Sequence, residues 1–124
     1  MSIPLFHQIM LPLLNILEDK KEHSLREVID TLTKHFMLSE QEQNELLSSG
    51  KQAVFDNRVG WARTYLKKAG LIISTRRGYF QITDRGLHIL GKKPAKIDIK
   101  FLEQFEEFNR FKTLRHEKTK RPTE

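Results

Sequence analysis

The sequence contains no cysteine, which excludes a disulfide framework and every zinc site with thiolate ligands. It has no long hydrophobic run either. The most apolar N-terminal stretch, Ile3 to Leu17, is interrupted by Pro4, His7, Gln8, Pro12 and Asn15. It is too short to span a bilayer, and no positive segment precedes it. No membrane partner and no secretory leader are therefore expected, and the expected location is cytoplasmic. Internal repeats and low-complexity runs are absent. His7, His23, His35, His88 and His116 lie far apart without ligand spacing. Each reads as a surface or packing histidine, and no metal site or cofactor is expected.

Acidic residues are scarce in one region only. Residues 51–93 carry ten lysines and arginines against Asp56 and Asp84 alone, a net of +8. Residues 1–50 instead carry a net of −4. The overall charge of +6 is thus concentrated, and a concentrated basic block points to a polyanionic partner. With 124 residues, 38% of them hydrophobic, the chain can bury one modest core.

Apolar spacing predicts a helix from Pro4 to about Asp19, kinked or restarted near Leu11 because Pro12 lacks an amide hydrogen. Ser24-Leu25-Arg26-Glu27 fits a capping box and opens a helix to about Phe36. Ser39-Glu40-Gln41-Glu42 repeats the signal for a short helix ending near Leu47. Gln52 to Phe55 reads as extended. A fourth helix is predicted from about Asn57 to Ala69, with Asp56 as N-cap and Gly70 as stop. Strands Leu71–Thr75 and Tyr79–Ile82 should join through a tight turn at Arg76-Arg77-Gly78. Thr83 caps a short helix to Leu90. Residues 92–96 form a linker. Asp98 then caps a last helix with Phe101, Leu102, Phe105, Phe108 and Phe111 along one side.

The fold class expected is mainly α with a small β-hairpin, a winged helix-turn-helix with additional helices. Residues 1–91 form the winged-helix domain, 97–113 a helix packing on it or on a partner, and 114–124 a basic, disordered tail. The phenylalanine stripe reads as core; its alternative use is a homodimer through Phe101, Phe105 and Phe108.

In winged helices one helix enters the major groove while the hairpin lies over neighbouring phosphates. Val59, Ala62, Leu66 and Ala69 fall on one side of the fourth helix, and Asn57, Gly60, Trp61, Thr64, Lys67 and Lys68 fall broadly on the other. The second group is expected to face duplex DNA, with Lys51, Arg58 and Arg63 as further contacts. Arg76 and Arg77 should project from the hairpin onto phosphate. Trp61 and Tyr65 read first as packing residues, with base stacking as the alternative.

Ser49-Gly50-Lys51, followed by the unbroken run Asn57 to Ile72, resembles the N-terminal domain of Mrr-type restriction endonucleases. Arg77-Gly78-Tyr79-Phe80-Gln81-Ile82-Thr83-Asp84-Arg85-Gly86 continues the resemblance, as does the opening Pro4 to Leu17. Ile97-Asp98-Ile99-Lys100-Phe101-Leu102 is similar to the connector that follows this domain in the family. The resemblance implies a recognition domain that delivers a separate C-terminal nuclease to modified, typically methylated, DNA. That nuclease is magnesium-dependent and would be this chain's partner. The sequence stops where the family would run on into it, so an excised fragment is expected rather than a stand-alone adaptor. Asp98-Ile99-Lys100 matches half of a metal-dependent nuclease site, but no second acid stands near it at a strand end. It reads as a helix cap, and the chain is expected to be catalytically silent. The alternatives are a stand-alone winged-helix transcription regulator and a winged helix used for protein–protein interaction.

Overall fold

The computed structural model describes residues 3–119, with side chains as far as Leu114. Helix α1, Phe6–Ile16, is entered through a hydrogen bond from the Leu5 amide to Gln8 Oε1 at 2.8 Å. It continues through Pro12 without the expected restart, and a 3-10 turn, Leu17–Asp19, extends it. The reason lies in packing. Ile9, Met10, Leu13 and Leu14 are fully buried. At about 1.5–3 kcal/mol each, they outweigh the roughly 3 kcal/mol that an internal proline costs.

Helix α2, Leu25–His35, is capped by Ser24, whose side chain accepts from the Glu27 amide. Helix α3, Glu40–Asn44, carries the full capping box between Ser39 and Glu42. It stops sooner than expected, because residues 45–54 double back. Leu46 pairs with Ala53 in an antiparallel bridge. The Leu47 amide reaches Gln52 O at 2.9 Å, and the Val54 amide reaches Glu45 O at 2.8 Å. Gly50, at φ +72°, makes the reversal between them.

Helix α4, Val54–Lys68, therefore starts three residues earlier than the sequence predicts. Ala53 is its N-cap, without a side-chain bond, and the predicted cap Asp56 lies inside the first turn. Asp56 is drawn to Arg26 of α2 at 3.3 Å. Val59, Ala62 and Leu66 are fully buried, and α1 packs on α4 more extensively than on any other helix.

Strands β2, Ile72–Arg76, and β3, Tyr79–Ile82, form the expected hairpin. A third strand, β1, His23–Ser24, was not foreseen. It pairs antiparallel with β3 in the sheet order β1-β3-β2, with His23 opposite Phe80. Helix α5, Asp84–Gly91, is capped by Thr83, and α6, Ile99–Leu102, by Asp98. The predicted last helix is broken after α6 and resumes as α7, Glu106–Thr119. Thus α7 enters the segment expected as a tail, and residues 120–124 of that tail lie outside the described residues. The architecture is mainly helical with a small antiparallel sheet, in a winged-helix-like order.

Leu102 and Phe108 are fully buried, and Phe108 meets Tyr65 of α4 edge-on at 5.8 Å. Phe108 is therefore core of its own chain and unavailable as part of the dimer face expected with Phe101 and Phe105. Phe101 and Phe105 are half-buried against the same core.

His23 anchors the sheet. Its Nδ1 lies 2.6 Å from Glu27 Oε2, and its Nε2 lies 2.9 Å from both Asp19 oxygens. Both ring nitrogens can donate only in the protonated imidazolium. Burial alone would push the His23 pKa down, but the bonds to Asp19 and Glu27 outweigh it and hold it above 6.5. The hydrogen bond from His23 holds Asp19 below 3.8. The His23 contribution to stability is complete below pH 6.5 and is lost as pH rises through the raised folded value. The Asp19 contribution is present above pH 3.8 and is lost as pH falls through the lowered one. Melting curves should therefore show a gap between the wild type and His23→Gln that is widest between these limits and narrows in alkali. A gap independent of pH would contradict the imidazolium assignment.

Candidate nucleic-acid interface

Helix α4 presents a different chemistry on each of its sides. The inner side is the apolar stripe on α1. One flank turns to the sheet and α2, where Asp56 pairs with Arg26 and the Arg63 guanidinium lies 6.0 Å from the centre of the Phe80 ring. The other flank turns to the N-terminal segment and α7. There Tyr65 meets Phe6, Phe108 and Phe111 at ring separations of 5.0, 5.8 and 5.7 Å.

The outer side carries Asn57, Gly60, Trp61, Thr64, Lys67 and Lys68, as the 100° spacing requires. Trp61, Lys67 and Lys68 are exposed, and the others are half-buried. A Cβ at Gly60 would meet nothing within 4 Å, so the helix backbone itself is approachable there. The Thr64 hydroxyl donates to Gly60 O at 3.0 Å, which leaves its oxygen and methyl for an outside contact. Trp61 leans on Tyr65 with ring centres 5.8 Å apart. At 38% exposure it serves both packing and surface. Lys68 Nζ lies 5.3 Å from the centre of the Phe111 ring.

Two elements adjoin α4 in the chain. The first is the reversal before α4, which sets Lys51 on its exposed turn and Gln52 on its returning arm. Gln52 was not recognised from sequence; its Oε1 accepts from Asn57 Nδ2 at 3.2 Å. The second is the hairpin. Gly78, at φ +80°, turns the chain, and its carbonyl accepts from the Leu25 amide at 3.1 Å, which ties the tip to the start of α2. Arg77 is exposed at that tip.

Three of the sequence-predicted site residues behave otherwise than expected. Arg58 sits on the flank, not the outer side, and donates to Ile3 O at 2.9 Å and Pro4 O at 3.3 Å. It holds the N-terminal segment, because its helix position lies about 100° from Asn57. Arg63 is turned toward the sheet, on the edge of the surface. Arg76 stays exposed but is already engaged along the hairpin. A register shift between Ser74 and Arg76 bulges β2 and turns Arg76 back across Tyr79, 3.7 Å from the ring centre. Its Nε reaches Glu22 Oε1 at 3.1 Å, and Thr75 donates its hydroxyl hydrogen to the same oxygen. The Thr75 bond first, and Arg76 with it, hold the Glu22 carboxyl below the usual range.

The remaining candidate chemistry is structural. Arg85 donates to Ala69 O and Glu107 Oε2, both at 2.8 Å, and so fastens the C-terminal end of α4 to α7. Asp98 Oδ1 accepts from the Phe101 amide at 2.9 Å, a bond that holds its pKa below 3.8. This is the cap read from the sequence. Among the described residues no cluster of three His, Asp or Glu side chains has metal-holding geometry, and no helix is long and apolar enough to cross a membrane.

Residues 6–92, from α1 to the end of α5, match the Mrr N-terminal domain. The chain is also 32% identical over 95 residues to the type IV methyl-directed restriction enzyme EcoKMrr of Escherichia coli strain K12. That alignment covers 76% of this chain and 31% of the enzyme, so the chain spans about a third of this relative's length. No solved structure gives a significant match. The matched residues include all of α4, the reversal before it and the hairpin after it, and on that footing the chain belongs to the Mrr N-terminal domain family.

Proposed function

We propose that this chain is the DNA-recognition module of a restriction system. It binds duplex DNA and prefers methylated sites, in the cytoplasm, and it positions a separate nuclease domain there. Cleavage chemistry, with its Mg2+, belongs to that partner; this chain needs no cofactor. The observation that carries the reading is the outer side of α4. A donor-rich, glycine-opened helix face is exposed there, and the segments before and after the helix carry exposed cations, Lys51 in the reversal and Arg77 in the hairpin. These are the groups a helix needs to enter the major groove while cations hold the phosphates. Family membership supports the restriction context. The Escherichia coli relative is a methyl-directed enzyme, which supports the methylation preference.

Variants of the hairpin and of the face test this. Arg77→Ala should weaken binding to every duplex about equally and lower the salt slope by about one. Adding Arg76→Ala should contribute less, because Arg76 is already occupied by Glu22 and Tyr79. Asn57→Ala and Thr64→Ala should instead change the ranking of duplexes by sequence or methylation. Competition binding against a panel of methylated and unmethylated duplexes separates the two classes. If Arg77→Ala keeps full affinity, the hairpin is not a phosphate contact.

A further inference from the structure

We propose that Gln52 and Asn57 act together as a paired-amide reader of adenine in the major groove, with Gln52 as the positioning residue. The inference rests on the DNA-binding reading above and adds a base identity to it.

Asn57 has one amide oxygen and two amide hydrogens. One hydrogen is spent on Gln52 Oε1 at 3.2 Å. A hydrogen and the oxygen then remain, one donor and one acceptor on the same planar group. Adenine offers the complement in the major groove, an N7 acceptor beside an N6–H donor. Guanine offers two acceptors there, N7 and O6, so the Asn57 oxygen would face another oxygen.

Gln52 fixes which end of the amide points where. Without it, the terminal torsion of an asparagine is broad and roughly two-fold. Gln52 starts from a fixed backbone: its main-chain carbonyl accepts from the Leu47 amide at 2.9 Å, inside the ladder that closes residues 45–54. The neighbouring acid does not compete, since Asp56 is held by Arg26. Asn57 also sits in the early part of α4, where recognition helices contact base edges. One turn further on, Gly60 leaves the backbone open to close approach.

The test uses a pool of random-sequence duplexes, bound by the wild type, Asn57→Ala, Gln52→Ala and Gln52→Glu, with sequencing of the retained DNA. Both side chains lie outside the core, and melting curves check that each variant is folded. The wild type should select adenine over guanine at one position by about five- to 150-fold. Asn57→Ala should lose that selection, as should the wild type when 7-deazaadenine replaces the selected base. Gln52→Ala should lose most of it while keeping its general affinity for duplex and its response to salt. Gln52→Glu keeps an acceptor for Asn57, so it should restore selection even if its charge lowers affinity uniformly. Wild-type selection persisting in Gln52→Ala would overturn the positioning role. Salt-sensitive duplex binding without any adenine selection would overturn this proposal alone. No duplex binding at all would overturn it together with the reading it rests on.

Discussion

Duplex affinity should fall steeply when salt is raised. Between 50 and 200 mM we expect a loss of about tenfold to a thousandfold, for roughly two to six phosphate contacts, by the release of condensed counterions. The structure narrows the contacts that can contribute. Of the ten cations in residues 51–93, Arg58 is spent on the carbonyls of Ile3 and Pro4, and Arg85 on Ala69 and Glu107. Arg76 is shared with Glu22. Lys92 and Lys93 are exposed beyond α5, away from the proposed contacts in sequence, which leaves Lys51, Lys67, Lys68 and Arg77 exposed on α4 and in the turns before and after it, with Arg63 at the edge. The steepness should therefore come from these. Replacing Lys67 and Lys68 together should flatten the salt response, whereas replacing Arg58 should lower stability and leave the slope alone. Binding measured by fluorescence anisotropy at several salt concentrations gives the slope directly. A flat response would mean that the basic block does not meet phosphate.

Gly86→Ala should destabilise the fold more than any other single methyl group added to a glycine. A Cβ there would lie 2.3 Å from the Leu71 carbonyl oxygen and 2.6 Å from Ile82 Cγ1. The first obstacle is backbone, at the junction between α4 and β2, and cannot rotate away. The same junction is held by the Thr83 hydroxyl, which donates to Gly70 O at 2.7 Å and accepts from the Gly86 amide at 3.1 Å. Moving α5 outward with its cap would break the bond to Gly70. A loss of about 3 kcal/mol corresponds to a fall in melting temperature of roughly 10 °C or more. Gly60→Ala is the control of opposite sign. Its added methyl meets open space, so removing a helix-interior glycine should stabilise by about 0.5–1 kcal/mol. If the outer side of α4 enters a groove, the same methyl should weaken DNA binding. Gly86→Ala melting like the wild type would show that the contact of α5 with Leu71 and β3 is looser than the structure places it.

The parts of this molecule legible in the sequence are those with a local cause. Ser24, Ser39, Thr83 and Asp98 each accept from an amide in the next turn, and all four caps could be read from neighbouring residues alone. The outer side of α4 was legible because 100° spacing separates Val59, Ala62 and Leu66 from Asn57, Gly60 and Thr64. What escaped depends on pairings between distant residues. β1 has only two residues and exists because His23 and Ser24 lie beside β3. Gln52 came to matter through a reversal whose two arms read separately, as the end of a helix and as a short extended piece. Arg58 and Arg76 were read as contacts because exposed arginines in a basic block resemble each other. Their partners, the Ile3 and Pro4 carbonyls and Glu22, lie more than fifty positions away in the chain. One local signal was available and went unused. Asp19 and Glu27 stand four residues to either side of His23, the spacing of a carboxylate clamp.

Duplex DNA is proposed to meet the outer side of α4 and the turns before and after it in the chain. Chemical-shift mapping of the isotope-labelled chain during titration with a short methylated duplex tests it most directly. The largest amide changes should fall on Lys51, Asn57, Gly60, Trp61, Thr64, Lys67, Arg77 and Gly78. The acidic surface of α2 and α3, around Asp30, Glu40 and Glu42, should stay unchanged. Saturating shifts centred on α2 and α3, or none at all with duplex in large excess, would contradict this placement.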